Sequence, residues 1–380
     1  MDKKQIFDIL KKSLSYILVA VLASAVTWFA AGWIPDSKLE RLSAAIEHQF
    51  IGEADQNRLQ DAAAEAMIAA MGDRWSYYVS AEEYAAHRQR QKNSYVGIGI
   101  AVQLNQEGKG IQVTSVTPGG PAEEAGMQAG DIITHADGVC LTELTLNEGK
   151  ALITGKKNTK VVLMLLRGEE TIEMTVTRKE IHRKTAEGRM LEGNIGYVKI
   201  LNFHSGAGED TVAEVEKLLE QGAEKLIIDV RNNLGGYVNE MLYALDYLLP
   251  EGPLFRSVDY KGVEDVVESD GNCLEIPMAV LINGNSYSAA ELFAAALWEY
   301  DWAVTVGEPT CGKGYYQTTI ELGDGSAVQL SVGMYTTPKN VNLTEVGGLQ
   351  PDVVVSPADR MVTLEEDPQI LVAIQALAGE

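Results

Sequence analysis

Apolar positions recur along this chain in two rhythms, and the changes of rhythm divide it. "KLERLSAAIEHQF" and "QNRLQDAAAEAMIAAMG" repeat apolar residues every three or four positions, which predicts helices with one apolar stripe. "SAEEYAAHRQRQK" sets Ser80 before Glu82 and Glu83, a capped and charged first turn that predicts a third helix. At Asn93 the period falls to two. "YVGIGIAVQL", "GIQVTSV", "DIITHADG", "KVVLMLLRG" and "TIEMTVTRK" are predicted as short strands separated by turn residues. Short helices are predicted at "PGGPAEEAGMQAGD" and "TLNEGKALITGK". "KEIHRKTAEGRM" reads as a connector. From Leu191 strand and helix take turns: "IGYVKILNF", "AGEDTVAEVEKLLEQG", "KLIIDV", "YVNEMLYALDYLL", "PMAVLIN", "SAAELFAAALWEY" and "WAVTV". That order predicts a parallel sheet with crossover helices. In such sheets sites form at the carboxyl ends of the strands, where "RNNLGGY" and "GNSYSAAE" lie.

One stretch has no polar rhythm. From Ser13 to Pro35 no residue is charged. As a helix those residues span about 35 Å, enough to cross a bilayer core. Lys3, Lys4, Lys11 and Lys12 precede it, which predicts a cytoplasmic amino end and the remainder of the chain outside the cytoplasmic membrane. The competing expectation is a signal segment cleaved at "ASA" or "FAA", with a secreted product.

Composition narrows the function classes. The net charge is -23, and residues 36–380 carry -25 of it. Nucleic-acid binding needs Lys and Arg to displace counterions, so it is not expected. Cys140, Cys273 and Cys311 are far apart, the five histidines are scattered, and H-E-x-x-H is missing. Neither a metal nor a cofactor is expected.

"GEPTCGKGYYQ" follows the strand-like "WAVTV" and fits seven positions of the phosphate loop G-x-x-x-x-G-K, but Gly314 stands where Ser or Thr should bind the metal ion. A phosphate loop also leads into a helix, whereas "GYYQTTIEL" and Gly323-Asp324-Gly325 predict a strand and a hairpin turn. A glycine-rich turn with a surface lysine would account for it.

The serine loop changes that weighing. Ser288 and Glu291 form the S-x-x-E of a capping box. A serine at a helix start also has backbone amides and the positive dipole end beside it, which suit a developing oxyanion. Ser286 is a second candidate. The hydroxyl needs a base, and a lysine serves if burial keeps it neutral. Lys313 follows the next strand of the sheet, and Gln317 is suited to aim it without charging it.

"DVRNNLGG", "LINGNSYSAAELFAAAL", "GEPTCGKGYYQ", "YTTP" and "GGLQPDVVV" together resemble the carboxyl-terminal processing (tail-specific) proteases, exported serine peptidases with a Ser-Lys dyad. The resemblance covers nearly the whole chain. It implies Ser288 as nucleophile, Lys313 as general base and Gln317 as its orienting residue. It implies an oxyanion hole from the amides of Gly235 and Ala289, with Gly236 the alternative glycine. Residues 93–180 resemble the family's PDZ domain, which implies capture of a substrate's carboxyl end by Val96, Gly97, Ile98 and Gly99. Leu234 stands where the family's loop usually has proline, and Ala290 where it often has a second serine.

The expected class is multidomain α+β. A cytoplasmic tail and transmembrane anchor occupy 1–35 and a helical packing or dimerisation segment 36–92, so a homodimer is one expectation. A PDZ domain follows at 93–180, and an α/β peptidase core of crotonase/Clp-like βαβ type at 181–380. The expected function is a membrane-anchored serine endopeptidase acting near the carboxyl ends of extracytoplasmic proteins or peptides. The alternatives are a non-catalytic PDZ adaptor for exported tails and a crotonase-like acyl-thioester enzyme.

Overall fold

The computed structural model describes residues 37–379. The anchor expected at 13–35 lies outside them. Among the described residues no helix is long and apolar enough to cross a membrane. The chain divides into two compact units at Tyr78–Val79.

The first unit carries helices α1 (Lys38–Gln49) and α2 (Gln56–Ala69). Ser37 and Glu40 close a capping box on α1, and Asp55 caps α2. Neither helix buries a residue, so the apolar stripe, including Leu39 and Leu42, stays exposed.

After a short strand β1 (Tyr77–Val79), the second unit starts with α3 (Ala81–Gln91), capped reciprocally by Ser80 and Glu83 as its sequence predicts. The run "YVGIGIAVQL", which alternates as one strand, is two: β2 (Ser94–Gly97) and β3 (Ile100–Leu104). Gly99 separates them at φ +80, a conformation that glycine adopts without a Cβ penalty. The Ile98 and Gly99 carbonyls accept from Ala122 and Thr117 N–H groups at 2.8 and 2.9 Å, which fixes the break. Further along lie β4 (Ile111–Val116), α4 (Pro121–Glu124), β5 (Ile132–Ala136), β6 (Val139–Cys140) and α5 (Leu146–Ile153). Then come β7 (Lys160–Arg167), β8 (Glu170–Thr177) and β9 (Lys179–His182). The sheet order is β3-β4-β5-β7-β8, with β6 on β5, while β2 turns away to pair with β9. Val161, Leu163 and Leu165 of β7 alternate into a core with Ile111 and Ile133. Arg178 fastens α5 over that core. It is buried and donates to the carbonyls of Leu152, Ile153 and Lys160 at 2.8–3.0 Å. A cation there satisfies the last carbonyls of the helix.

The expected connector "KEIHRKTAEGRM" is instead mostly strand: β9, then β10 (Ala186–Leu191). Its charges mask the period, because Glu180, His182 and Glu187 all face solvent. The remaining elements are β11 (Ile195–Ile200), α6 (Ala207–Glu220), β12 (Lys225–Asp229), α7 (Val238–Leu248), β13 (Gly252–Asp259) and β14 (Glu264–Ser269). They continue with β15 (Met278–Ile282), α8 (Ala289–Glu299), β16 (Ala303–Gly307), β17 (Tyr315–Glu321), β18 (Ala327–Thr336), β19 (Val353–Val354) and α9 (Pro368–Ala378). The main sheet runs β10-β11-β12-β15-β16-β19, parallel except at β10. Ile228, Val280 and Ile282 point to one face, with residues of α6, α7 and α8. Ile227, Ala279 and Leu281 point to the other, where α9 supplies Ile370 and Ala373. A strand covered on both faces reads as a continuous apolar run, as "KLIID" and "MAVLI" do. A second, antiparallel sheet contains the run β17-β18-β13-β14.

Replacing the Arg178 guanidinium with a methionine side chain leaves several buried carbonyls without donors. Arg178→Met is therefore expected to lower unfolding free energy by about 2–4 kcal/mol. Urea unfolding of the full-length chain measures this, and an unchanged midpoint would exclude the clamp.

Candidate active site

Parallel pairing of β12, β15 and β16 brings their carboxyl ends together, so three loops meet: 230–237, 283–288 and 308–314. Side chains of the first two interlock. Asn283 Nδ2 and Asn285 Nδ2 donate to Asn232 Oδ1 at 3.2 and 3.0 Å, and Tyr287 N–H donates to the Asn233 carbonyl at 3.0 Å. Below the first loop, Arg231 makes a bidentate pair with Asp229 and reaches Asp367 and Gln369 at the start of α9 at 2.9 and 2.6 Å. Ser286, the second serine considered, is fully buried and donates to the Val230 carbonyl at 2.9 Å, which makes it a strut.

Ser288 sits at φ +56, ψ -116, where a residue with a Cβ is strained. Such a conformation costs about 1–3 kcal/mol and persists only when its surroundings over-determine it. The Ser288 backbone itself is held by one carboxylate. Glu291 is fully buried, and its Oε2 accepts the Ser288 N–H at 2.9 Å and the Lys313 N–H at 3.0 Å. Its Oε1 accepts the Gly312 N–H and the Thr310 hydroxyl, both at 2.6 Å. The Glu291 N–H goes to the Ser288 carbonyl at 3.0 Å, and with the Ser288 side chain beside it the S-x-x-E capping box is formed.

Lys313 is 8 % exposed. Its Nζ donates to Gln317 Oε1 at 2.5 Å and lies 4.8 Å from the centre of the Tyr287 ring. Gln317 is itself oriented, because its Nε2 donates to the Tyr315 carbonyl and to Ser331 Oγ, each at 3.2 Å. The amide oxygen is therefore the atom turned to the lysine. The hydroxyl of Tyr335 donates to the Lys313 carbonyl at 2.7 Å and also engages the Ser288 hydroxyl. Burial pushes the Tyr335 phenol well above its ordinary range, and the hydrogen bond with Ser288 pulls the other way. It stays a donor at every working pH. Sequence reasoning missed Tyr335, although "YTTP" contains it, and it read Glu291 only as a capping residue.

Gly235 (φ +84) lies against Ser288 and Ala289. A Cβ there would come within 3.1 Å of the Ala289 nitrogen. The Gly235 N–H donates to Asn233 Oδ1 at 2.9 Å. Among the described residues no group accepts from the N–H of Gly236 or Ala289. Gly236 tolerates no side chain, since a Cβ would collide with the Phe203 backbone.

Away from these loops a cavity of about 350 Å³ opens between β3 and α5 and is bordered by Gly97, Ile98 and Gly99. Val96 stands one residue outside it, paired with Glu180 in the β2–β9 ladder. Among the described residues nothing accepts from the N–H of Ile98 or Gly99.

Known proteins match both regions. The model of peptidase family S41 covers residues 194–355 and a PDZ-domain model covers residues 112–167. The carboxy-terminal processing protease CtpA of Bacillus subtilis is 33% identical over 337 residues, 84% of this chain and 72% of that protein. This chain belongs to peptidase family S41. Within the S41 group it is also similar to the carboxyl-terminal-processing protease of Synechocystis sp., 30% identical over 83% of this chain and 76% of that one. The solved photosystem II D1 C-terminal processing protease superposes with a TM-score of 0.50 at 27% identity, covering 88% of this chain and 90% of that chain. The S41 chain described here is thus a serine-type peptidase of the carboxy-terminal processing kind, with a PDZ domain.

Glu291 is the residue most exposed to test. Glu291→Gln keeps the volume but turns one acceptor oxygen into a donor facing N–H groups. Hydrolysis is expected to fall about 100-fold or more, since buried charge-assisted bonds of about 1.5–3 kcal/mol each are lost. Peptide-hydrolysis rates, read beside circular dichroism, check this, and near-normal turnover would show that the carboxylate does not hold the site.

Proposed function

We propose that this S41 peptidase cleaves near substrate carboxyl ends through an acyl-enzyme on Ser288, with neutral Lys313 as general base. The observation that carries the reading is one buried carboxylate, Glu291, binding the backbone N–H groups of both Ser288 and Lys313. In the reaction Ser288 Oγ attacks the scissile carbonyl carbon and its proton passes to Lys313 Nζ. The ammonium then protonates the leaving amine as the C–N bond breaks. Water attacks the ester, Lys313 takes a proton from it, and Ser288 regains its own when the acyl group leaves. Burial suits this role because it disfavours the charged form of an amine, and the bond to Gln317 aims the lone pair. Tyr335 is a positioning residue that joins the nucleophile's hydroxyl to the base's backbone.

The oxyanion falls to the Ala289 N–H and one N–H of the Gly235–Gly236 pair. The bond from Gly235 to Asn233 favours Gly236 in this conformation, and Gly235 would serve only after releasing Asn233. In the groove, the N–H groups of Ile98 and Gly99 receive a peptide carboxylate while the peptide adds as a strand to β3. The uncharged run at 13–35 supports an anchor in the cytoplasmic membrane with the peptidase outside. The same run supports a secreted product if it is cleaved.

Ser288→Ala and Lys313→Ala are each expected to abolish cleavage of casein or a tailed peptide, and Gln317→Ala to slow it. Full cleavage by either of the first two would exclude the dyad. Tail binding by the unmodified protein without turnover would mark a PDZ adaptor instead. Cleavage should also fade towards acid pH, as the amine gains its proton and can no longer accept one. A flat profile between about pH 5 and 9 contradicts a lysine base.

A further inference from the structure

Two cations overlook the groove between β3 and α5: Lys150 on the helix and Arg183 just beyond β9. No Asp or Glu lines it. The chain as a whole carries 54 acidic and 31 basic residues. Two lysines outside the groove are neutralised, Lys157 by Glu180 at 2.7 Å and Lys179 by Glu124 at 2.6 Å. Among the described residues Lys150 and Arg183 pair with no carboxylate. The groove is therefore a local reversal of the protein's acidic field, and such a cleft concentrates anionic ligands.

The two cations occupy different stations. Arg183 lies over the Tyr95 ring at 5.0 Å, two residues before Gly97, so it stands at the loop that would receive a chain terminus. Lys150 is three residues before Ile153 on α5, hence on the same face. The Ile153 end of α5 is held by Arg178, next to Lys179, which pairs with Gly97. Gly149 instead lies against Ile111, which pairs with Leu104 at the far end of β3, so Lys150 is about one turn further from that loop. The floor between them is apolar, from Ile98, Ile100, Val102 and Ile153. β3 is an edge strand, so a peptide can extend the sheet beside it. In an added strand alternate side chains face the same way, about 6.6 Å apart. A terminal side chain seated on the floor near Ile153 therefore directs the third residue from the end towards Lys150.

We propose that this groove selects carboxyl-terminal segments with an apolar last residue and an acidic residue third from the end, read by Lys150. Arg183 serves the terminal carboxylate. The inference rests on the reading of the groove as a tail-binding site and adds a substrate class to it.

The test uses full-length Ser288→Ala protein, which binds without cutting, and fluorescein-labelled decapeptides ending in Glu-Ala-Val, Gln-Ala-Val or Lys-Ala-Val. The Glu peptide is expected to bind about three- to five-fold more tightly than the Gln peptide at low salt, the scale of a surface ion pair. The gap should close at about 0.5 M salt, where such pairs are screened. Lys150→Gln should erase the difference, and Lys150→Glu should favour the Lys peptide. Equal binding of the Glu and Gln peptides, or a preference that survives Lys150→Gln, would overturn the assignment. An amidated Glu peptide tests the underlying reading separately. If it binds as tightly as the free acid, the tail-binding reading itself fails and the inference falls with it.

Discussion

A carboxylate taken wholly out of water must be matched by donors, or its desolvation outweighs anything it contributes. Glu291 meets that condition with four donors, and they come from both halves of the site: the Ser288 amide on one side, and Thr310, Gly312 and Lys313 on the other. The consequence is mutual. The serine's strained backbone is held because the lysine loop is in place, and the lysine loop is held because the serine turn is.

The sheet supplies the platform. Parallel strands covered on both faces by helices leave only their ends free for irregular backbone. The irregular backbone here is glycine-rich wherever two chains approach closely, as at Gly236 against Phe203. Helix α8 shows the same economy. Ten of its eleven residues are buried, Glu291 and Glu299 among them, and its alanines let it lie deep in the core. A helix so enclosed resists tilting, which keeps its amino end, and Ser288 with it, at a fixed height above the sheet.

Much of this was legible in the sequence because burial writes itself into period. The core strands "KLIID" and "MAVLI" and the crossover helices are continuous or periodic apolar runs, and their order gives the parallel sheet. Two things were hidden. Strands β9 and β10 carry exposed charges on their outer face, so composition reads them as a linker. The break between β2 and β3 depends on one positive φ at Gly99, which an unbroken alternation conceals. For the site, the nucleophile and base candidates stood out by motif, and Glu291 was visible as the fourth residue of S-x-x-E. Its second set of partners was not, because Thr310 and Gly312 lie 19 and 21 residues on. Tyr335 was invisible for the same reason, since nothing local marks a phenol that meets a backbone carbonyl 22 residues away.

Arg231 ties the glycine loop to Asp367 and Gln369, residues 136 and 138 positions further along. The loop thus leans on a part of the polypeptide made after both the serine and the lysine. A chain still being synthesised, or one cut short before α9, has the serine and the lysine but lacks the prop beneath the loop facing them. The support beneath the glycine loop is thus added only after the serine and the lysine have both been made.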